Sequence, residues 1–281
     1  MHKVTVGDVE ILPLLDTGIL MNPRIFLAAH CDEFLAEWSA EVDDRGLLPM
    51  AVTCYLVRSA GKNILIDSGL GGRRRPGFPR GHLDDTLQQA GIAPEDIDIV
   101  LNTHMHIDHV GWNTVANEDG SSRVFFPNAK FIFQQAEWDY WMQPDRLESP
   151  SNLHLVECVL PLKDTGRVEL VHTDYGVDEH LTFLATPGHT PGHVSIGVMS
   201  GGERAVVVGD ASHHPVQLMH PDWSPSYDED PDLAGRTRDA LFDRVIDENR
   251  TWIAGHWDHP GVGRIVRLEG KRVFQARLRE D

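Results

Sequence analysis

Four apolar, β-rich runs in this chain stop abruptly at imidazole or carboxylate. "IDIVLNTHMHIDH" ends in His104, His106, Asp108 and His109, and "LTFLATPGHTPGH" ends in His189 and His193. "RAVVVGDASHH" ends in Asp210, His213 and His214, and "TWIAGHWDH" in His256 and Asp258. Short runs of this kind read as buried strands. Helix-like patterns alternate with them along the chain, which points to an α/β architecture. Ligand sites in α/β sheets lie beyond the carboxyl ends of strands. Four such ends meeting at one rim would gather more nitrogen and oxygen ligands than one metal ion uses. Taken alone, "NTHMHIDHVGW" still leaves two answers, a metal-binding loop or a solvated polar turn.

Strands are expected at 52–59, 62–69, 97–103, 130–134, 181–186, 193–199, 204–210 and 251–256, and helices at 83–91, 135–143 and 231–249. The last helix has the fullest signature, with Asp230 as N-cap, Pro231 at the first helical position and Leu233, Ala240, Leu241, Val245 and Ile246 near one face. Both halves, roughly 1–150 and 165–281, carry strands followed by helices. Packed sheet on sheet with helices outside, they would form one domain over 1–281, and no Gly/Ser- or Pro-rich linker argues for a boundary. Residues 19–50 fit least well. This apolar stretch, interrupted by Pro23, is expected to be a cap, lid or dimer arm.

Charge narrows the partners. The formal net charge is −18, which repels phosphate backbones and anionic membranes and favours a neutral or cationic small molecule. No stretch approaches the ~20 apolar residues of a membrane span. The first residues reach Asp8 before a signal-length apolar core forms, so a cytoplasmic location is expected. Cys31, Cys54 and Cys158 are spaced too irregularly for a disulfide framework or a cysteine-ligated metal. The basic run "RRRPGFPRGH" reads as a solvated loop, with an active-site rim as the alternative. His154, His172, His180 and His220 have no motif around them and are read as surface or core; Trp138, Tyr140 and Trp141 are read as a helix face packed on a sheet.

The supply of ligands suits two ions. His104 and His106 alternate by two, so on an extended segment both side chains face one way and make natural partners at one ion. Asp108 and His109, after the chain turns, can serve a second. Paired ions ~3.5–4 Å apart can hold one hydroxide between them. An aspartate is the simplest bridge, and Asp210 is the best placed.

"THMHIDH" resembles the HxHxDH motif of the metallo-β-lactamase superfamily, and "LIDSG", "TPGHTPGH", "VVVGD" and "IAGH" follow in the family's order. The resemblance runs from about Val52 to Ile265 and implies a four-layer αββα sandwich with a dinuclear site at one edge. It implies that His104, His106 and His189 hold the first ion, that Asp108, His109 and His256 hold the second, and that Asp210 bridges them. Asp67 would orient a ligand-bearing loop from behind, and His193 would pack there without binding metal. Two divalent ions are implied, zinc first, with manganese, iron, cobalt and nickel as alternatives.

Departures from subfamilies narrow the activity. Asp210 stands where lactamases with a cysteine ligand would carry Cys, and His106 where flavodiiron oxygen reductases typically carry Glu. Too little chain follows His256 for the helical domain of glyoxalase II-like thioesterases, and the acidic surface argues against the nucleases. What remains resembles the N-acyl-homoserine lactonase and methyl parathion hydrolase branch. The expected activity is a dinuclear hydrolase whose bridging hydroxide opens a neutral lactone or ester, with Asp108 relaying the proton to the leaving group. Organophosphate triesterase or aryl esterase activity is the alternative; a di-iron redox protein comes behind it. The lactonases often place a Tyr three residues after the bridging Asp. Here His213 stands there, and a histidine can donate a hydrogen bond in the same role. Trp112 is expected either as an aromatic pocket wall or packed beneath the metal loop, and His213 and His214 as substrate contacts. The chain is also expected to form a homodimer.

Overall fold

The computed structural model describes residues 3–276. Strands β1 (Val4–Val6), β2 (Val9–Met21), β3 (Leu48–Ser59), β4 (Lys62–Ile66), β5 (Ile99–Leu101), β6 (Thr114–Ala116), β7 (Ser122–Val124), β8 (Lys130–Gln134) and β9 (Val168–Val171) come from the first half. Of these, β6 and β7 pair separately, and the rest form a seven-stranded sheet in the order β1-β2-β3-β4-β5-β8-β9. The second sheet has six strands in sequence order: β10 (Leu181–Ala185), β11 (Val194–Ser200), β12 (Glu203–Val207), β13 (Thr251–Ile253), β14 (Val262–Leu268) and β15 (Lys271–Ala276).

The central strands β3, β4, β5, β8, β11 and β12 are largely buried on both faces, so they read as near-continuous apolar runs. In β3, Cys54 and Leu56 point to the core beneath the outer helices, while Tyr55 and Val57 point between the sheets. In β12, Ala205 and Val207 join that same inter-sheet core, and Val206 packs outward with Phe242 and Val245 of a long helix. Three apolar layers thus separate helix, sheet, sheet and helix, which is the αββα sandwich expected. Helices α1 (Pro23–Phe26) and α2 (Cys31–Trp38) lie in the excursion between β2 and β3. They are followed by α3 (Leu83–Gln89), α4 (Gln135–Trp141), α5 (Pro144–Leu147), α6 (Leu153–Cys158) and α7 (Pro231–Asp247). The α7 N-terminus is capped as its sequence indicates, the Asp230 side chain accepting the Leu233 amide at 2.9 Å. No helix among the described residues is long and apolar enough to cross a membrane.

Parallel pairing sets the edge where the chemistry collects. β4 pairs parallel with β5, β5 with β8, and β12 with β13. The segments leaving β4, β5, β12 and β13 therefore emerge on common edges, carrying Asp67, His104–His109, Asp210 and His256. Residues 22–47 fold over that region, where Phe26, Leu27 and Phe34 pack with Val216 and Trp223. The β2–β3 pairing shifts register between Leu15 and Thr17, and the extra residue is Asp16, buried at 1% exposure. A bulge re-aims a side chain, and here it turns a carboxylate inward.

Candidate metal centre

The seven residues expected as ligands converge. Ligand atoms of His104, His106, His189 and Asp210 lie within 4.8 Å of one another, and those of Asp108, His109 and His256 form a second such group. Asp210 faces both. Its Oδ2 lies 3.2 Å from His189 Nε2 and 3.7 Å from His104 Nε2, whereas its Oδ1 lies 3.1 Å from His109 Nε2 and 3.2 Å from His256 Nε2. Asp108 completes the second group, with Oδ2 at 3.5 Å from His256 Nε2 and Oδ1 at 3.8 Å from His109 Nε2.

Four of the imidazoles, His104, His109, His189 and His256, are held from behind at their Nδ1 nitrogens. Asp67 accepts the Thr103 amide at 2.8 Å, the Thr103 hydroxyl at 2.9 Å and the His109 Nδ1–H at 2.9 Å. The Thr103 oxygen in turn accepts from His104 Nδ1 at 3.0 Å. Asp228 takes the His189 Nδ1–H at 2.7 Å and an Arg238 N–H at 3.2 Å, and the Ala51 carbonyl takes His256 Nδ1–H at 2.7 Å. These bonds place a hydrogen on Nδ1 and turn Nε2 of His104, His109, His189 and His256 inward as the nitrogens a cation would meet. Asp67 adopts a left-handed backbone (φ 58°), so its side chain reaches across to a neighbouring strand end.

The donor set fits divalent cations. His189 Nε2 is 2.8 Å from His106 Nδ1 and 3.2 Å from His104 Nε2, close to the separation of about 3.3 Å between nitrogens sharing a tetrahedral zinc ion. His109 Nε2 and Asp210 Oδ1 are buried without a hydrogen-bond partner, as expected of groups shaped for a cation. Electrostatics agree. Burial pulls His104 and His106 well below the usual histidine range. Burial also opposes charge on His109 and His189, but the surrounding carboxylates outweigh it; Asp210 leads in both cases, and His189 is pushed up to about 9. Protein without metal thus stores protons around Asp210 that a cation would displace.

Other expected residues land elsewhere. Trp112 is 2% exposed and packs beneath the loop, its indole N–H donating to Asp16 at 2.8 Å, so it is no pocket wall. His213 is 1% exposed behind Asp210. Burial holds its ring neutral, with a pKa of about 4, and its one N–H faces the Asp210 carboxylate at 3.0 Å, so none is left for a substrate carbonyl. His214 sits among the rings of Phe26, Phe34 and Trp38, and its Nδ1 accepts the Val216 amide at 3.1 Å. It fastens the arm and is not among the residues lining the cavity that opens onto the centre. His193 accepts the Asp210 amide on Nε2 at 2.9 Å and so positions Asp210.

A cavity of about 380 Å³ opens onto the centre. Asp108, Asp210, His106 and His256 form its floor, and Ile19, Met21, Met50, Phe78, Ile107 and Trp141 supply apolar walls. Phe78 brings the basic loop to the rim, and Trp141, read from sequence as packing, faces the site with its ring 5.4 Å from His106. His154, without a motif to mark it, lines the cavity and donates from Nε2 to the carbonyl of Met105, between two expected ligands. Sequence reasoning also missed Glu137 and Tyr227. Buried Glu137 accepts from Met105 and Gly192 amides, the Thr190 hydroxyl and the Trp141 indole, tying the HxHxDH loop to the "PGHTPGH" loop. Tyr227 lines the cavity with its ring 5.9 Å from His189 and 5.4 Å from His213. Burial, reinforced by the nearby carboxylates, keeps that phenol protonated.

An αββα sandwich with two imidazole–carboxylate groups at one sheet edge defines a class of metal-binding protein. Residues 47–256 match the family described as the metallo-beta-lactamase superfamily, and the chain belongs to it. It is similar to an N-acyl homoserine lactonase from Bacillus sp., 29% identical over 167 residues, covering 53% of this chain and 59% of the relative. Among solved structures, the hydrolase AbOPH of the beta lactamase superfamily superposes with TM-score 0.86 at 27% identity, covering 100% of this chain and 98% of that one. AidC, a dizinc quorum-quenching lactonase in complex with the product N-hexanoyl-L-homoserine, superposes with TM-score 0.82 at 25% identity, covering 99% and 98%.

Proposed function

We propose that this protein is a dinuclear metal-dependent hydrolase that opens a neutral lactone or ester, with N-acyl homoserine lactones as the leading substrate class. The observation that carries the reading is Asp210, whose two oxygens face two separate ligand groups at the floor of an apolar cavity. His104, His106 and His189 would hold one ion, Asp108, His109 and His256 the other, and Asp210 both. Such ions, zinc first, make a bound water acidic near neutral pH and polarise a carbonyl.

The chain's own groups do the rest. The apolar walls take the acyl chain and keep bulk water from the reacting carbonyl. Tyr227 offers its O–H to that carbonyl oxygen, a role sequence reasoning gave to His213. Asp108, at the cavity floor, passes the proton to the leaving alkoxide. The kinship to lactonases, the small-molecule size of the cavity and the lack, among the described residues, of any lysine or arginine in its lining support a neutral substrate.

A panel of acyl homoserine lactones, aryl esters and phosphotriesters tests the reading, assayed with and without a chelator. Chelator-sensitive lactone turnover exceeding the other two classes is expected. Activity on none of them, or activity indifferent to metal removal, would sink it. Iron in place of zinc on elemental analysis would favour the redox alternative.

A further inference from the structure

Glu229 stands at the cavity wall on the loop after Tyr227, and its position is built. Its amide donates to the His189 carbonyl at 3.0 Å, which fixes it to a ligand-bearing loop. Its Oε2 accepts the Tyr140 hydroxyl. Arg146 lies over the Tyr140 ring at 3.5 Å and comes only within 4.0 Å of Glu229 Oε1, outside hydrogen-bond distance. One carboxylate oxygen is therefore engaged, while the side chain keeps 32% exposure and lines the cavity. Asp108, Asp210 and Glu229 are the acids lining that cavity, and no lysine or arginine among the described residues joins them. Ions bound at Asp108 and Asp210 would neutralise those two. Glu229 would remain the lining acid that no expected ion neutralises. Arg146 Nη1, 4.0 Å from Oε1, offsets only part of its charge without hydrogen-bonding the oxygen, and Glu229 still lines the cavity.

We propose that Glu229 is the specificity-determining residue for charge: it accepts a hydrogen bond from a neutral N–H or an ammonium group on the non-reacting portion of the substrate and excludes a carboxylate there. The inference rests on the hydrolase reading and adds to it the substrate class, a lactone or ester bearing a hydrogen-bond donor and no anion. It also bears on turnover, because ring opening creates a carboxylate that this wall repels, which favours product release.

The test uses three γ-lactones matched in size, whose side groups carry a neutral acylamino N–H, an ammonium or a carboxylate. kcat/KM is measured for the holoenzyme and for Glu229→Gln, which retains an acceptor for Tyr140 and removes the charge. The wild type is expected to favour the neutral over the anionic lactone by at least about tenfold, one unit of about 1.4 kcal/mol. The glutamine variant should lose most of that ratio, chiefly through KM of the anionic substrate, and lose its advantage on the ammonium lactone. Ratios cancel any damage common to all three substrates. Equal ratios in both proteins would overturn the role of Glu229 while leaving the hydrolase reading intact. Failure of every lactone in the wild type would remove both.

Discussion

Asp210 owes its place to a neighbour that holds no expected metal. His193 gives Nδ1–H to the Thr186 carbonyl at 3.0 Å and uses Nε2 to accept the Asp210 amide, so the backbone of Asp210 is pinned before any cation arrives. Asp16 gives similar support to the loop beside it. Its carboxylate accepts the Leu70 and Leu83 amides and the Trp112 indole, each at 2.8 Å, and burial raises its pKa. Trp112 therefore belongs to the support beneath the metal loop, and its replacement acts on stability. Trp112→Phe is expected to cost about 1.5–3 kcal/mol, the scale of a lost hydrogen bond to a charged group, measured by urea denaturation. The order of preference across the substrate panel should stay as in the wild type. A reordered preference would return Trp112 to the pocket wall.

Among the strands that the sequence shows most plainly are β8, observed at the expected residues 130–134, and β10, whose Leu181 and Phe183 enter the inter-sheet core, shorter by one residue than expected. Their apolar runs need no partner to be read. Others hide for physical reasons. β2 carries Pro13, a residue that argues against a central strand, paired here with Tyr55 of β3. The β14–β15 hairpin did leave a signal, since Glu269 and Gly270 both take positive φ at its turn, and Gly270 marks it in the sequence. The ligand motifs were legible because short spacing on strand ends fixes their geometry. Tyr227, Glu229, Glu137 and Asp16 were not, because loop and helix positions far apart in sequence meet only after folding. The arm expected over 19–50 is shorter: 19–21 and 48–50 instead extend β2 and β3, leaving the excursion between them. Phe34 is wholly buried there, its ring centroid 5.4 Å from His214. Phe34→Ala should cost about 3–5 kcal/mol or free the arm outright, seen as faster limited proteolysis within 22–47. Metal content should hold at the wild-type level, because neither group of possible ligands includes a residue of 22–47. Loss of metal together with the arm would contradict that separation.

The sandwich as a whole places its chemistry where two sheets end on one edge. Asp67 and the His104–His109 loop come from the first, and Asp210 and His256 from the second. Neither sheet carries a complete site, so the inter-sheet core of Tyr55, Ile66, Leu101, Val207 and Ile253 also sets the spacing of the ligands. The acidic surface, with a formal charge of −18, surrounds a cavity whose lining is mostly apolar, which suits a neutral substrate and repels an anionic product. The proposed function turns on one carboxylate, Asp210, serving two ions. Metal stoichiometry by elemental analysis of the purified protein and of Asp210→Ala, with lactone turnover measured on the same samples, tests it most directly. The wild type should bind two divalent ions per chain, and the variant should lose the pair and nearly all turnover. Two ions retained at full rate in Asp210→Ala would contradict the account.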